Sequence, residues 1–242
     1  MKKMKFFAGV MSIALILSGC GNMSNTGKGA LIGTAAGGAA GTGVGALIGH
    51  LVGGKNATKK GAIIGAAAGA AVGATTGTLI GRKMDKAAAA AKALEAAQVE
   101  KTTDSNGLDA VKVTFDNGIL FAAGKSTLTP AAQNSLKRFA SNVLNVYTDC
   151  DVSICGFASS DGSDATNLTL SQNRAQAVTN YLTGSCGVAS KQIKDTTGYG
   201  EDPNFLIYDA NGKENVNASR RVEVYLYASD AMIAAAEAGT LQ

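Results

Sequence analysis

Between Val111 and Phe115, apolar side chains alternate with Lys112 and Thr114, and a period of two predicts a strand with one covered face. Val152 and Ile154 repeat the pattern, a short third strand ends at Gly198-Tyr199-Gly200, and Val222, Val224 and Leu226 alternate in a fourth. Between these strands the period lengthens. Leu136, Phe139, Ala140 and Val143 fall on one side of a helix that Thr129 caps and Pro130 opens. Proline costs nothing at the first helical position, because the N–H it lacks would have no partner there. Gly162-Ser163-Asp164 opens a second helix, with Leu168, Ser171, Ala175, Val178 and Leu182 at helical spacing and Asp164 a candidate cap. The order β-α-β-α-β-β over 108–228 predicts an α+β domain with helices stacked on one mixed sheet. Its length of about 120 residues is enough to bury one core.

The chain before this domain has a different texture. Glycine recurs every four residues at Gly29, Gly33, Gly37, Gly41, Gly45, Gly49 and Gly53, and again at Gly61, Gly65, Gly69, Gly73, Gly77 and Gly81. On a helix such a series forms one ridge along which a second backbone packs closely. The charged, turn-forming stretch Gly54-Lys55-Asn56-Ala57-Thr58-Lys59-Lys60 interrupts it, so 29–82 is read as a glycine-rich helical hairpin. Each arm is uncharged apart from His50. As a helix, Gly61 to Gly81 would be about 30 Å long, the thickness of a hydrocarbon core. Gly, Ala and Thr give little transfer energy per residue, which leaves open both membrane insertion and a soluble, self-associating hairpin. The pattern resembles the glycine-zipper segments of bacterial envelope proteins. Residues 83–107 follow as an alanine-rich helical tether and linker, with good helix composition but no wide apolar face.

The first twenty residues read as an export signal. Lys2, Lys3 and Lys5 precede the apolar run Phe6 to Leu17, which is too short to span a bilayer. Leu17-Ser18-Gly19-Cys20 resembles the bacterial lipobox, which implies a signal peptide over 1–19, lipid modification of Cys20 and a lipidated linker over 20–28. Gly21 is not the acidic residue that, in such lipoproteins, specifies retention at the inner membrane, so an outer-membrane anchor with the C-terminal domain in the periplasm is expected. Removing the signal lowers Lys+Arg from 22 to 19 against 18 Asp+Glu, so the net charge falls from +4 to +1. Neither a basic stripe nor interleaved aromatics remain, and nucleic acid is excluded as a partner.

Within 108–228, several separated motifs resemble the C-terminal, peptidoglycan-binding module of the OmpA-like family. They are Ile119-Leu120-Phe121 with Leu128-Thr129-Pro130; Gly156 and Gly162; Asn167, Leu170-Ser171 and Arg174-Ala175; Tyr181-Leu182; Gly198-Tyr199-Gly200-Glu201 with Pro203; and Arg220-Arg221-Val222-Glu223. The resemblance implies recognition of the diaminopimelate of a peptide stem, whose ammonium is taken by an Asp and whose carboxylate is taken by an Arg on the helix. Arg174 falls on the arginine position, whereas Ser159 occupies the aspartate position, preceded by Phe157-Ala158 in place of the family's usual residues. A serine accepts a hydrogen bond but brings no charge to offset an ammonium's desolvation. Asp161, two residues on, is the candidate substitute anion, and Asp164 is a second candidate that a helix-capping role explains more simply. Asn167 belongs to the same constellation, and of Arg220 and Arg221 one is expected to form a structural ion pair, with Glu201 the candidate partner, while the other borders the pocket.

Three cysteines remain beyond Cys20. Cys150 and Cys186 are expected at the same end of the sheet, which makes them a candidate disulfide with Cys155 left as a buried thiol. No metal or cofactor is implied, since the spacings pair no ligands and the only histidine is His50. Gly49 to Lys55 has the spacing of a phosphate loop, but Asn56 replaces the hydroxyl residue and no strand precedes it. No serine or cysteine has a histidine in its own domain, so catalysis is not expected. Two functions stay open: an outer-membrane lipoprotein that grips peptidoglycan noncovalently, or an oligomeric membrane-associated scaffold whose altered C-terminal domain docks a protein. Residues 229–242 are read as a C-terminal tail.

Overall fold

The computed structural model describes residues 74–94, 97–104 and 107–241. Cys20, His50 and the glycine repeat up to Gly73 lie outside them. Five strands form one sheet: β1 (Gln98–Thr103), β2 (Asp109–Asp116), β3 (Cys150–Phe157), β4 (Ile193–Gly198) and β5 (Arg221–Ala228). They lie in the order β1-β2-β5-β3-β4, antiparallel except for the parallel pair β3 and β4. The helices are α1 (Ala74–Lys92), α2 (Asn117–Leu120), α3 (Pro130–Phe139), α4 (Asp164–Ser185), α5 (Val216–Ser219) and α6 (Asp230–Glu237). The α+β order inferred for 108–228 is borne out, with a strand and a helix added in front and a helix behind.

The alternation along the strands sets the core. Val111, Val113 and Phe115 of β2, Val152 and Ile154 of β3, and Val222, Val224 and Leu226 of β5 are buried in one cluster with Leu136, Phe139, Val143, Val178 and Leu182. Phe115 and Phe139 meet edge to face with ring centroids 5.4 Å apart, an arrangement aromatic quadrupoles favour. Thr129 caps α3 as its sequence predicts, its hydroxyl accepting from the Ala132 N–H at 3.0 Å and donating to the Ile119 carbonyl at 2.7 Å.

The expected tether over 83–107 takes a different form. Its first half belongs to α1, which starts inside the last arm of the glycine repeat and buries Ile80, Met84, Ala87, Ala88 and Ala91 against β1, β2 and α6. Alanines present a narrow but close-fitting face, so a helix without large apolar residues still packs. Its second half contains β1, paired residue for residue with β2 from Gln98 opposite Thr114 to Thr103 opposite Asp109. Glu100 and Lys112 stand directly opposite and form an ion pair at 2.7 Å, and Lys101 pairs with Asp85 of α1. Residues 229–241 are likewise packed: Ser229 caps α6, and Met232 and Ala236 reach the main core. Met84→Ala should therefore cost about 3 kcal/mol and lower the thermal midpoint by roughly 10 °C. Thermal unfolding followed by circular dichroism checks this, since a solvated tether would leave the midpoint where it was.

No helix among the described residues is long and apolar enough to cross a membrane.

Candidate functional site

Helix α4 lies directly on the sheet because two glycines make room for it. A Cβ at Gly156 would stand 2.2 Å from the Ser171 carbonyl oxygen, and one at Gly198 would stand 2.2 Å from the Gln172 nitrogen. Hydrogen bonds lock this approach: the Gly198 N–H donates to Gln172 Oε1 at 2.7 Å, Gln172 Nε2 donates to the Thr196 carbonyl at 3.1 Å, and the Gly200 N–H donates to Ser171 Oγ at 2.8 Å. The buried stripe of α4 is accordingly Asn167, Ser171, Arg174, Ala175, Val178 and Leu182. Leu168, assigned to that face from its spacing, is 53% exposed instead. The helix turns small and polar groups toward the glycine floor, and this rotation carries Arg174 inward.

Arg174 is only 3% exposed. Its Nε donates to the Lys125 carbonyl at 3.0 Å, and the guanidinium lies 5.4 Å from the centre of the Phe121 ring. The loop that supplies both contacts is closed by a bridge between Phe121 and Leu128 and turns at Gly124, whose φ of 66° suits a residue without a Cβ. Among the described residues no carboxylate forms an ion pair with Arg174. Burial lowers its pKa, and the nearby Arg220 charge lowers it further. A guanidinium held in this way can donate charge-assisted hydrogen bonds to an anion.

The loop between β3 and α4 forms the other wall. Ser159 is buried, and its Oγ accepts from Arg220 Nε at 2.9 Å. Arg220 also donates through Nη2 to Asp161 Oδ2 at 2.7 Å, so one guanidinium braces both residues. Asn167 staples the loop from beneath: its Nδ2 donates to the carbonyls of Ser159 and Asp161 at 3.1 and 3.0 Å and to the Glu201 carboxylate. Glu214 holds the outer edge, accepting from the Ser160 N–H at 3.2 Å and from its hydroxyl. Burial raises the Glu214 pKa, but hydrogen bonds from Ser160 and Ser219 and the Arg220 charge together outweigh it and leave a net lowering. Ser163 caps α4, accepting from the Thr166 N–H at 3.4 Å, which corrects the assignment of that role to Asp164.

Arg221 is placed elsewhere. It pairs with Glu223 at 2.7 Å, donates to the Phe205 and Ser219 carbonyls at 3.0 and 3.1 Å, and lies 4.1 Å over the Phe157 ring. It is the structural arginine, with Glu223 rather than Glu201 as its partner. A strand turns residues two apart to the same face, which makes that pairing local. A cleft of about 730 Å³ is lined by Glu100, Lys112, Arg221 and Glu223, by Asn217 of α5 and by Arg220, among others. Glu100 pairs with Lys112 and Arg221 with Glu223, so these four charges are engaged within the protein.

The candidate disulfide is corrected: Cys150, Cys155 and Cys186 are all free thiols. Cys150 points into the core at the start of β3, while Cys186 follows α4 and is half-buried. Burial, then the Asp149 charge, pushes the Cys150 thiol up to about 12, and burial pushes Cys155 well up as well. Maleimide labelling of the native chain at pH 7.5 to 8, mapped by peptide mass spectrometry, should mark Cys186 and spare Cys150 and Cys155 until denaturant is added. Native labelling of Cys150 would contradict this placement.

Hydrogen bonds join Ser159, Asp161, Asn167 and Arg220, and Arg174 lies near enough to feel the Arg220 charge, whereas Arg221 is engaged elsewhere. The groups missed from sequence are Phe121, the Lys125 carbonyl and Glu214. Phe121 stood in a motif, but nothing local signals that its ring underlies a guanidinium. Among the described residues no cluster of side chains is arranged to hold a metal ion.

Residues 120–220 match the model of the OmpA family, and residues 1–85 match that of the YMGG-like Gly-zipper. Outer membrane protein P5 of Haemophilus influenzae is 39% identical over 88 residues, covering 36% of this chain and 24% of that protein. The probable lipoprotein YiaD of Escherichia coli is 35% identical over 118 residues, covering 49% of this chain and 52% of that one. The chain therefore spans about a quarter of the length of the first of these relatives and about half of the second. A MotB-like protein from Desulfovibrio vulgaris, of known crystal structure, aligns with a TM-score of 0.48 and 22% identity over 64% of this chain and 96% of its own.

Proposed function

We propose that this chain, which carries an OmpA-like domain behind a glycine-zipper segment, is an outer-membrane lipoprotein whose C-terminal domain grips peptidoglycan noncovalently and so ties membrane to wall. Cys20 carries the lipid, the domain faces the periplasm, and the glycine-repeat helices pack against one another or against a second copy. The ligand is the diaminopimelate-type stem peptide.

The observation that carries this reading is Arg174: a buried guanidinium with a carbonyl and an aromatic ring for company and, among the described residues, no carboxylate partner, near the Arg220 that braces the loop through Ser159 and Asp161. Burying an uncompensated cation is costly for a fold that gains nothing from it. A ligand carboxylate supplies the missing charge in a setting where charge-assisted hydrogen bonds are strong. The match to the OmpA family and the resemblance to a probable lipoprotein both support an envelope setting.

Co-sedimentation of the intact chain, solubilised in mild detergent, with purified sacculi tests the proposal. The chain should pellet with intact sacculi and stay in solution once a muramidase has digested them. A chain that remains in the supernatant in both cases removes wall binding and favours a domain that docks a protein.

A further inference from the structure

We propose, on the basis of the wall-binding reading above, that this site reads the carboxylate of its ligand and is indifferent to a neighbouring ammonium. It would then take stem-peptide end groups whose amine is blocked as readily as the free zwitterion.

Reading a zwitterion requires an anion of the protein that is free to meet the ammonium, and the acids closest to Ser159 are held by the protein's own donors. Position 159 carries a neutral hydroxyl, and its Oγ already accepts from Arg220 Nε at 2.9 Å. Arg220 is itself a cation, so an ammonium delivered to Ser159 would meet like charge at close range. Asp161 is the nearest carboxylate in the loop, and it is held by the same Arg220 at 2.7 Å. Turning it toward a ligand would release the strut that braces the loop. Glu201 is engaged by the side-chain amide of Asn167 and Glu214 by the backbone and hydroxyl of Ser160, while Asp164 stands exposed on the first turn of α4, where water screens its charge.

The cationic half is in the opposite condition. Arg174 is almost fully buried, has no acid partner among the described residues, and feels the repulsion of Arg220. A carboxylate placed against Arg174 relieves that repulsion and fills the donor capacity that Lys125 and Phe121 leave over. The two halves of a zwitterion are therefore treated unequally: one finds a prepared partner, while the other finds the loop's own acid already held by Arg220.

Isothermal titration calorimetry of the intact chain in detergent, with three synthetic diaminopimelate-type stem tetrapeptides, tests this. One peptide has the free side-chain amine and carboxyl, one has that amine acetylated, and one has that carboxyl amidated. Acetylation should change Kd by less than about threefold, whereas amidation should weaken binding by more than about tenfold, the scale of one lost charge-assisted hydrogen bond. If acetylation weakens binding tenfold or more, the inference falls while wall binding stands. If the free and amidated peptides bind equally, the inference also falls, because Arg174 is then not reading that carboxylate. No heat from any peptide overturns it too, and sedimentation with sacculi then decides separately whether wall binding survives.

Discussion

Arg174→Met should raise Kd for a diaminopimelate-type stem peptide by about 10- to 100-fold, the value of charge-assisted hydrogen bonds worth roughly 1.5–3 kcal/mol, and should abolish pelleting with sacculi. The same substitution should leave the thermal midpoint no lower than that of the wild type. Methionine retains most of the arginine's apolar stem, and it removes a buried cation that no acid among the described residues offsets. Lost binding with undiminished stability is what distinguishes a ligand-reading arginine from a structural one. Arg221→Met is the contrast, because it strands the buried Glu223 carboxylate and frees the Phe205 and Ser219 carbonyls. That change should destabilise the fold by about 3 kcal/mol or more. Ligand titration and calorimetric melting of both variants separate the two roles.

Gly198→Ala should be the most destabilising single-methyl change in the domain, at about 3 kcal/mol or more, lowering the midpoint by roughly 10 °C. The added Cβ would meet the Gln172 nitrogen at 2.2 Å and the Ser171 carbonyl carbon at 2.7 Å, both backbone atoms of a helix that cannot yield locally. α4 must lift, and with it go the Gly198 to Gln172 and Gly200 to Ser171 hydrogen bonds. Ligand binding should fall together with stability, since Arg174 lies less than one turn beyond Ser171. Gly184→Ala is the control: it is also in α4, nothing stands within 4 Å of its added methyl, and it should stabilise the chain by about 0.5–1 kcal/mol. Equal melting of both variants would contradict the close approach.

Sequence revealed most where period and turn chemistry agree. β2, β3 and β5 alternate cleanly, and Thr129-Pro130 and Gly162-Ser163-Asp164 announce their helices. β1 was invisible because Gln98 to Thr103 follows an alanine run, lacks a buried alternation and is held by cross-strand pairing at an edge. The part of α1 beyond residue 82 resembles a tether in sequence because its buried face is largely alanine, a residue whose packing shows only once its partner surface is known. Leu168 misled for the reverse reason: glycines beneath α4 select Ser171 and Asn167 for the sheet side and leave a leucine in solvent.

The site divides in the same way. Arg174 was legible from its spacing to Asn167 and Ser171 within the OmpA-like motif, and the loss of charge at Ser159 was legible directly. The environment that gives Arg174 its character was not. The Lys125 carbonyl lies 49 residues away in sequence, and Arg220 reaches Ser159 across 61. Long-range contacts of this kind depend on how the Phe121 to Leu128 loop and the start of β5 pack at the ends of the sheet. The pairing of Arg221 with Glu223 had a local signal, two residues apart on one strand face, but Glu201 was the first candidate because it shares a motif with the glycines.

A crystal structure of the chain soaked with a diaminopimelate-containing stem peptide tests the central claim most directly. The account predicts a ligand carboxylate within hydrogen-bonding distance of the Arg174 guanidinium, with Arg220 still bound to Ser159 and Asp161. A peptide seated elsewhere on the domain, with Arg174 untouched, would contradict it.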